Sequence, residues 1–463
     1  MTDVLRLEPW RRPEITGVGR LPMRPRMPVY GDSEEALRAD WFDRGAVVDL
    51  NGEWGFRFFD TPDDASRALA ELETAGDPAN DTAARAGDNA AGGSTAEEWS
   101  AIEVPGNWTL QGWDKPHYTN VQMPFPDSPP EPPEQNPTGL YRRRFRLPDS
   151  RMRGVPERVV LHLGGAESVA IVWIDGSFVG LAKDSRLESE FDITEHLGTA
   201  EEHELLIMVV RYSDASFIED QDQWWMGGIH RDVYLRREPA LHLKAFRLQP
   251  ELGEDNRSGR LTAELELSGM ELGDYAVRRR ERAKRLSSDP SRESAWPVTA
   301  TLRLFEIEGA LPREIGRGAA AFTGAPATDG HHHEGANRAD RLRLLLDSLT
   351  VEPWSSESPR LYTVLLELKD ETGGCLGVYR QRIGFRRVEV RRRELLINGA
   401  PVLIRGVNRH EHDDLQGKAI TRESMIRDLE LLKRFNFNAV RTAHYPNHPD
   451  WYDLCDQYGI YLV

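Results

Sequence analysis

Two short clusters of polar residues carry the chemistry-bearing pattern of this chain: His410-Glu411-His412 and Arg441-Thr442-Ala443-His444-Tyr445. Imidazole, guanidinium and phenol groups present hydrogen-bond donors and acceptors at fixed angles, which is the equipment for gripping a polyhydroxylated ligand. A single histidine in a loop more often bonds to backbone. Two of them at neighbouring strand ends, joined by Arg441 and Tyr445, point instead to a ligand site. His410-x-His412 and His444-x-x-x-His448 also match metal-ligand spacings. Because Asn408, Arg409, Arg441 and Asn447 flank them as donors suited to hydroxyls, zinc is the second reading.

A third cluster lies far upstream. Asp220 and Asp222 sit between Phe217-Ile218 and Trp224-Trp225, and these apolar flanks favour a desolvated role over that of surface acids. Either tryptophan has an indole face that stacks on a sugar, although interior packing is the commoner use of the residue. The basic run Arg278 to Arg285 and the triplet His331-His332-His333 have no such setting and read as solvated loops.

These residues need elements to position them. A length of 463 residues fits roughly three domains of ~150 residues each. Residues 1–45, rich in Pro and Arg, read as an extended N-terminal arm lying on the rest. Residues 46–238 carry short β-rich runs such as 159–165 and 169–174, the latter followed by the hairpin turn Asp175-Gly176. No long amphipathic helix is evident there, and the stretch reads as a β jelly-roll sandwich. Residues 239–387 alternate polar and apolar residues along 261–267 and 363–368, as a half-exposed antiparallel sheet does, and read as an immunoglobulin-like β-sandwich. From residue 388 the grammar becomes βαβαβ: strands at 402–407, 437–441 and 460–463, and helices at 421–435 and 448–458. Thr421 is a suitable N-cap, Pro449 suits a first helical turn, and Gly459 suits a left-handed C-terminal cap. Such units open either an open α/β sheet or a (β/α)8 TIM barrel, and both histidine clusters fall at the carboxyl ends of its strands.

Composition excludes several classes. A formal charge of −17 opposes a nucleic-acid partner, which rewards clustered Lys and Arg. No window of 18 apolar residues suggests a membrane span. The two cysteines, Cys375 and Cys455, are too far apart in sequence to form a disulfide framework. With no apolar leader in Met1 to Arg26, the chain reads as cytoplasmic.

The residues also carry a resemblance. Gly406-Val407-Asn408-Arg409-His410-Glu411-His412, Asn436-Phe437-Asn438-Ala439-Val440-Arg441 and His444-Tyr445-Pro446-Asn447-His448-Pro449 closely resemble glycoside hydrolase family 2, specifically its large cytoplasmic β-galactosidases. Tyr118-Thr119-Asn120-Val121, Asn136-Pro137-Thr138-Gly139, Asp184-Ser185-Arg186, Glu190-Phe191-Asp192, Glu219-Asp220-Gln221-Asp222 and Gly228-Ile229-His230-Arg231-Asp232-Val233 agree in order. His230 departs from the family pattern, where an aromatic or aliphatic residue is usual. The stretches 78–98, 273–297 and 322–340 resemble insertions.

The resemblance implies a jelly-roll sugar-binding domain, an immunoglobulin-like domain and the start of a catalytic barrel. It implies hydrolysis of terminal non-reducing β-D-galactose from galactosides such as lactose, with retention of configuration. Asn120, Asp222, His410 and His444 would bind galactose hydroxyls, Arg441 would lie beside the nucleophile, and Asp222 would help hold Na+. Retaining glycosidases need two carboxyl groups about 5–5.5 Å apart. The resemblance places both glutamates, and the Mg2+ ligands, on barrel segments after Val463. Glu411, lying between histidines, lacks a partner carboxyl and is a poor substitute. The expectation is therefore a barrel incomplete in this chain, with residues 388–463 unstable in isolation and the chain inactive alone. Its activity would belong to a longer form, homo-oligomeric in relatives, or to a complementing C-terminal polypeptide. A non-catalytic galactoside-binding module is the third reading, and β-glucuronidase or β-mannosidase remains the alternative for substrate.

Overall fold

Val169–Ile174 has no polar face, so a strand built from it must be covered on both sides. The computed structural model describes residues 3–40, 42–43, 45, 47–75, 99–120, 122–148, 157–268, 298–308, 311–322, 340–370 and 373–463, and in it that strand is central to a seven-stranded antiparallel sheet. The order across the sheet is Gly17–Val18, Ser177–Lys183, Val169–Ile174, His203–Val210, Thr138–Phe145, Gly52–Phe59, Ser100–Val104. One face packs on a four-stranded sheet (Ser189–Asp192, Glu157–Leu163, Val233–Pro239, Val47–Asp49) through Trp54, Phe56, Trp108 and Tyr141 among aliphatic neighbours.

The other face is sealed by a helix that the sequence reading lacked, Pro62–Ala75, together with Leu5 and Trp10 of the arm. Ala65, Ala68, Leu69 and Leu72 line its inner face, while Asp63, Arg67, Glu71 and Glu73 face water. A stripe made mainly of alanine is a weak hydrophobic signal, which is why it escaped notice. The capping signal was present: Thr61 Oγ1 accepts from the Asp64 N–H at 3.2 Å, and Pro62 follows it.

The second sandwich joins a three-stranded sheet (His242–Leu252, Ser258–Ser268, Arg341–Thr350) to a five-stranded one (Val29–Tyr30, Cys375–Ile383, Tyr362–Lys369, Val298–Glu308, Leu311–Phe322) over a Leu- and Val-rich core. The expected half-exposed alternation is seen in part along 261–267, where Leu261, Ala263, Leu265 and Leu267 are buried and Glu264 is exposed, although Thr262 is buried too; it also occurs along 341–346, where Leu342, Leu344 and Leu346 point inward. It fails along Tyr362–Lys369, whose outer face is buried too. There Leu365 packs with Tyr30, Ala36, Phe305 and Val378, because the arm's helix Ser33–Arg38 lies over it.

After an antiparallel meander over 388–401 comes a parallel sheet of Gly406–Arg409, Ala439–Thr442 and Tyr461–Leu462, with helices Arg422–Arg434 and Pro449–Tyr458. Met425, Leu429, Val440, Trp451, Leu454, Cys455 and Ile460 form the core between them. Thr421 and Gly459 cap as expected, Gly459 at φ 70°. The first strand begins four residues later than its apolar run. Asn438 diverts that run by accepting from the Arg405 N–H and donating to the Leu403 carbonyl, so residues 403–405 bond a side chain and the ladder starts at Gly406 against Ala439. Leu403 and Ile404 are left 75% and 44% exposed. The second and third strands likewise shift, to 439–442 and 461–462.

The arm is not structureless. It donates a strand to each sandwich and adds two ionic staples. Arg24 bonds Glu238 at 2.8 and 3.0 Å and the Leu243 carbonyl at 3.1 Å, while Arg26 bonds Asp450 and Asp453 of the last helix at 2.5 and 2.7 Å. The expectations for 78–98, 273–297, 278–285, 331–333 and most of 322–340 fall outside the described residues. Among the described residues, no helix is long and apolar enough to cross a membrane.

Glu238 makes this junction acid-sensitive. Burial opposes its charge, but Arg236, Arg24 and Arg158 outweigh burial and hold its carboxyl at about 2, against an ordinary 4.5. A carboxylate depressed on folding contributes fully above its unfolded pKa, and the contribution disappears as pH falls through the folded value. Urea unfolding stepped from pH 4.5 to 2 is therefore expected to lose about 3 kcal/mol through this group. Glu238→Gln should flatten that decline, and an unchanged slope would contradict the assignment.

Candidate functional site

Strand ends bring the two histidine clusters together. His410 follows the first parallel strand and His444 the second, and their rings lie 5.3 Å apart at 83°. Arg441 Nη1 is 3.1 Å from His444 Nδ1. A guanidinium only donates, so Nδ1 accepts and the proton of neutral His444 sits on Nε2, free to point at a ligand. His410 is held below its ordinary 6.5 by partial desolvation first and by His444 next, with Asp222 pulling the other way. It is therefore neutral at pH 7.

The opposite wall comes from the first sandwich. A two-residue strand, His117–Tyr118, pairs with Trp224–Trp225. Tyr118 donates its hydroxyl to Asp222 Oδ1 at 2.5 Å, a bond that raises the phenol above its ordinary value. Trp224 lies parallel to His412, with centroids 6.4 Å apart and planes at 10°, and its other neighbour is Tyr118 at 5.4 Å. The structure thus gathers Asp222, His410, His444 and Arg441 where the sandwich meets the parallel sheet. Asn120 lies on the same loop two residues beyond Tyr118, exposed, with a left-handed φ of 55° that asparagine tolerates. It makes no hydrogen bond with the other four among the described residues.

Several expected roles change. Arg409 and Asn447 are buried: Arg409 bonds Asp428 and Asn447 and lies 3.8 Å over the Trp451 ring, so neither is aimed at a hydroxyl. His448 Nδ1 accepts from the Asp450 N–H as a helix cap, and Nε2 faces Asp232 at 3.5 Å. His412 is against Trp224. No set of three His, Cys, Asp or Glu side chains able to hold a metal forms among the described residues. Trp225 is 4% exposed with Nε1 donating to Thr119, whereas Trp224 is 42% exposed. Asp220 has a buried Oδ1 without a partner, and burial pushes its carboxyl up. His230 is fully buried and kept neutral by burial first, then by Arg186, Arg231 and Lys418, so it fills an aromatic's place as an uncharged ring.

Beneath the site lies a lock that the sequence reading missed. Glu411 turns inward, accepting from Arg231 Nη2 at 3.2 Å and from the His448 N–H at 2.7 Å. Lys418 Nζ bonds both oxygens of Glu167 at 2.8 and 2.9 Å, and its backbone N–H bonds Asn107 at 2.8 Å. Arg186 lies 4.3 Å over the Tyr445 ring. Each pair joins the first sandwich to the segment carrying the histidines, and all five charged side chains are buried. The available signal was Glu167, a lone charge next to the apolar run 169–174.

Known proteins resemble this chain along most of its length. A family described as "Glycosyl hydrolases family 2, sugar binding domain" matches residues 47–239. "Glycosyl hydrolases family 2" matches 308–386, and "Glycosyl hydrolases family 2, TIM barrel domain" matches 388–463. A beta-galactosidase of Vibrio cholerae is 38% identical over 465 residues, covering 100% of this chain and 40% of that relative. One from Photobacterium profundum is 36% identical over 465 residues, covering 100% and 39%. The chain thus spans about two fifths of the length of these curated relatives. Among solved structures, Bifidobacterium dentium beta-glucuronidase complexed with coumarin-3-O-glucuronide matches with a TM-score of 0.63 at 20% identity, over 90% of this chain and 60% of that one. Bacteroides uniformis beta-glucuronidase 3 matches with 0.62 at 19%, over 90% and 45%. At such identities these structures speak for the fold alone.

Removing one partner of a buried pair strands the other charge, so Lys418→Met is expected to destabilise the protein by about 3–5 kcal/mol. Lys418→Met with Glu167→Leu should recover most of that loss. Urea unfolding of both variants checks this, and a single-variant loss under about 1 kcal/mol, the worth of a surface pair, would show that the lock is not structural.

Proposed function

The chain belongs to family 2 of the glycosyl hydrolases, and on that premise we propose that it forms the galactose-recognising part of a retaining β-galactosidase. The observation that carries this reading is the convergence of Asp222 from the sandwich with His410 and His444 from the parallel sheet. A neutral pyranose offers hydroxyls as both donors and acceptors. Asp222 accepts, neutral His410 does either, and His444 donates from Nε2. A carboxylate at this position repels a second one, which favours galactose over a uronic acid. Asn120, on the loop beside Asp222, completes the ring of contacts. Arg441 fixes the His444 tautomer and so acts as a positioning residue. The free cysteines, Cys375 and Cys455, support a reducing, cytoplasmic setting.

Retaining hydrolysis runs through two carboxyl groups about 5–5.5 Å apart, one protonating the leaving oxygen and the other attacking the anomeric carbon. At this site Asp222 is committed to Tyr118 and Glu411 to Arg231 and the His448 N–H. Neither is available as acid or nucleophile. We therefore infer that the 463-residue chain binds galactose without cleaving galactosides, and that the acids come from a further barrel segment, in the same chain or in a complementing one. Asp222 would offer a Na+ ion one carboxylate; no group of three His, Cys, Asp or Glu side chains able to hold a metal forms among the described residues, and no step is assigned to Na+ or Mg2+.

Isothermal titration of the purified chain is expected to show galactose binding that is flat above about pH 7 and weakens below the ordinary histidine value of 6.5, since protonation removes the acceptor on His410. An aryl galactoside should remain uncleaved by the same material. Steady turnover by homogeneous chain, or no galactose binding at any pH, would overturn the proposal.

A further inference from the structure

We propose that the cavity between the two sandwiches, the arm and the helix Pro449–Tyr458 is a binding site for a small phosphate-bearing anion, held by Arg186, Arg380 and Arg382. This goes beyond the galactose reading and does not depend on it. The cavity measures about 530 Å3, within the range that encloses a small-molecule ligand. Arg186 lines it from the first sandwich, Arg380 and Arg382 from the second, Tyr452 from the helix, and residues 23–26 of the arm close one side.

Unbalanced charge carries the argument. Arg186 and Arg380 are 6% and 7% exposed, and neither forms an ion pair with a carboxylate among the described residues. Arg186 donates to Gln223 Oε1 at 2.5 Å and lies over the Tyr445 ring. Glu219, the carboxylate whose charge Arg186 favours, is bonded to the Ser185 hydroxyl and N–H instead. Arg380 donates to the carbonyls of Ala36, Ala39 and Asp40 and lies 5.2 Å over the Tyr30 ring. An amide, carbonyls and ring faces supply partial charge only, and a guanidinium does not shed its proton to escape burial. Buried charges are as a rule paired with opposite ones. Two such cations on the wall of one cavity mark it as a seat for negative charge.

Arg382 adds a third cation. It stands two residues along the strand Cys375–Ile383 from Arg380 and so on the same face. Burial first and Arg380 next lower it to about 9, against Asp453 and Asp40. The acids on the walls are largely engaged: Asp453 bonds Arg26 at 2.7 Å, Asp43 accepts from the Gly45 N–H at 2.7 Å, and Glu188 acts on Arg20.

The arrangement also selects the anion. A guanidinium carries five N–H donors, and the bonds above leave both Arg186 and Arg380 with donors to spare. They reach the cavity from different sandwiches. A tetrahedral phosphate presents oxygens in both directions and takes the guanidinium fork in pairs, whereas one carboxylate has its two oxygens on a single side. The volume leaves room for the organic part of a phosphate ester.

Isothermal titration of inorganic phosphate into the wild-type chain, Arg382→Gln, Arg382→Lys and Arg260→Gln, with ionic strength matched by NaCl, tests this. Arg260 is exposed, pairs with Asp347 and serves as the control. Saturable binding is expected in the wild type and in Arg260→Gln. Arg382→Gln should weaken it roughly tenfold, and Arg382→Lys, which keeps the charge and loses the fork, roughly threefold. Wild type that takes up no phosphate beyond the NaCl control, undiminished affinity in Arg382→Gln, or an equal loss in Arg260→Gln overturns the site. Citrate binding more tightly than phosphate overturns the choice of anion. Circular dichroism checks folding, and if Arg382→Gln misfolds, unchanged affinity in Arg382→Lys contradicts the proposal.

Discussion

Everything at the site depends on the buried ionic lock between the first sandwich and the parallel-sheet segment. Glu167–Lys418 and Arg231–Glu411 take four charges out of water, a cost repaid only when each is held close to its partner with its remaining lone pairs and protons bonded. Around the second pair the Pro446 carbonyl and the His448 N–H supply such bonds, whereas Arg231 Nε is buried without a hydrogen-bond partner among the described residues, and burial first and Arg186 next lower the Lys418 ammonium to about 7. Buried pairs of this kind are worth less as stability than as register. They tolerate one relative placement of the two units and penalise the rest, and that placement brings Asp222 to His410.

The rest of the architecture supports this junction. The seven-stranded sheet is covered on both faces, which makes it a rigid platform for the loops carrying Tyr118, Asp222 and Trp224. The arm runs across all three units, adding a strand to each sandwich and ending its ionic contacts on Asp450 and Asp453 of the last helix. The exposed Leu403 and Ile404 lie beside a strand whose far edge has no partner among the described residues.

Legibility followed the kind of force involved. The sandwiches were readable because hydrophobic alternation and the Asp175-Gly176 turn are local, and the two late helices because Thr421 and Gly459 announce their ends. The helix Pro62–Ala75 was hidden by its alanine stripe, and the start of the first parallel strand by Asn438, whose side chain captures residues 403–405 from a distance. At the site, residue type singled out His410, His444, Arg441 and Asp222, and the fold sets them at one junction. It misjudged Arg409 and Asn447, because a polar residue reads the same whether it faces a ligand or a buried partner.

The central claim is that one sugar ring is held at once by a carboxylate from the sandwich and an imidazole from the parallel sheet. A double-mutant cycle on galactose affinity tests it most directly, using Asp222→Asn, His410→Ala and the combination. Groups gripping the same small ring couple, so the account predicts an interaction energy of about 1 kcal/mol or more. Losses that simply add would show that the two residues do not share a ligand.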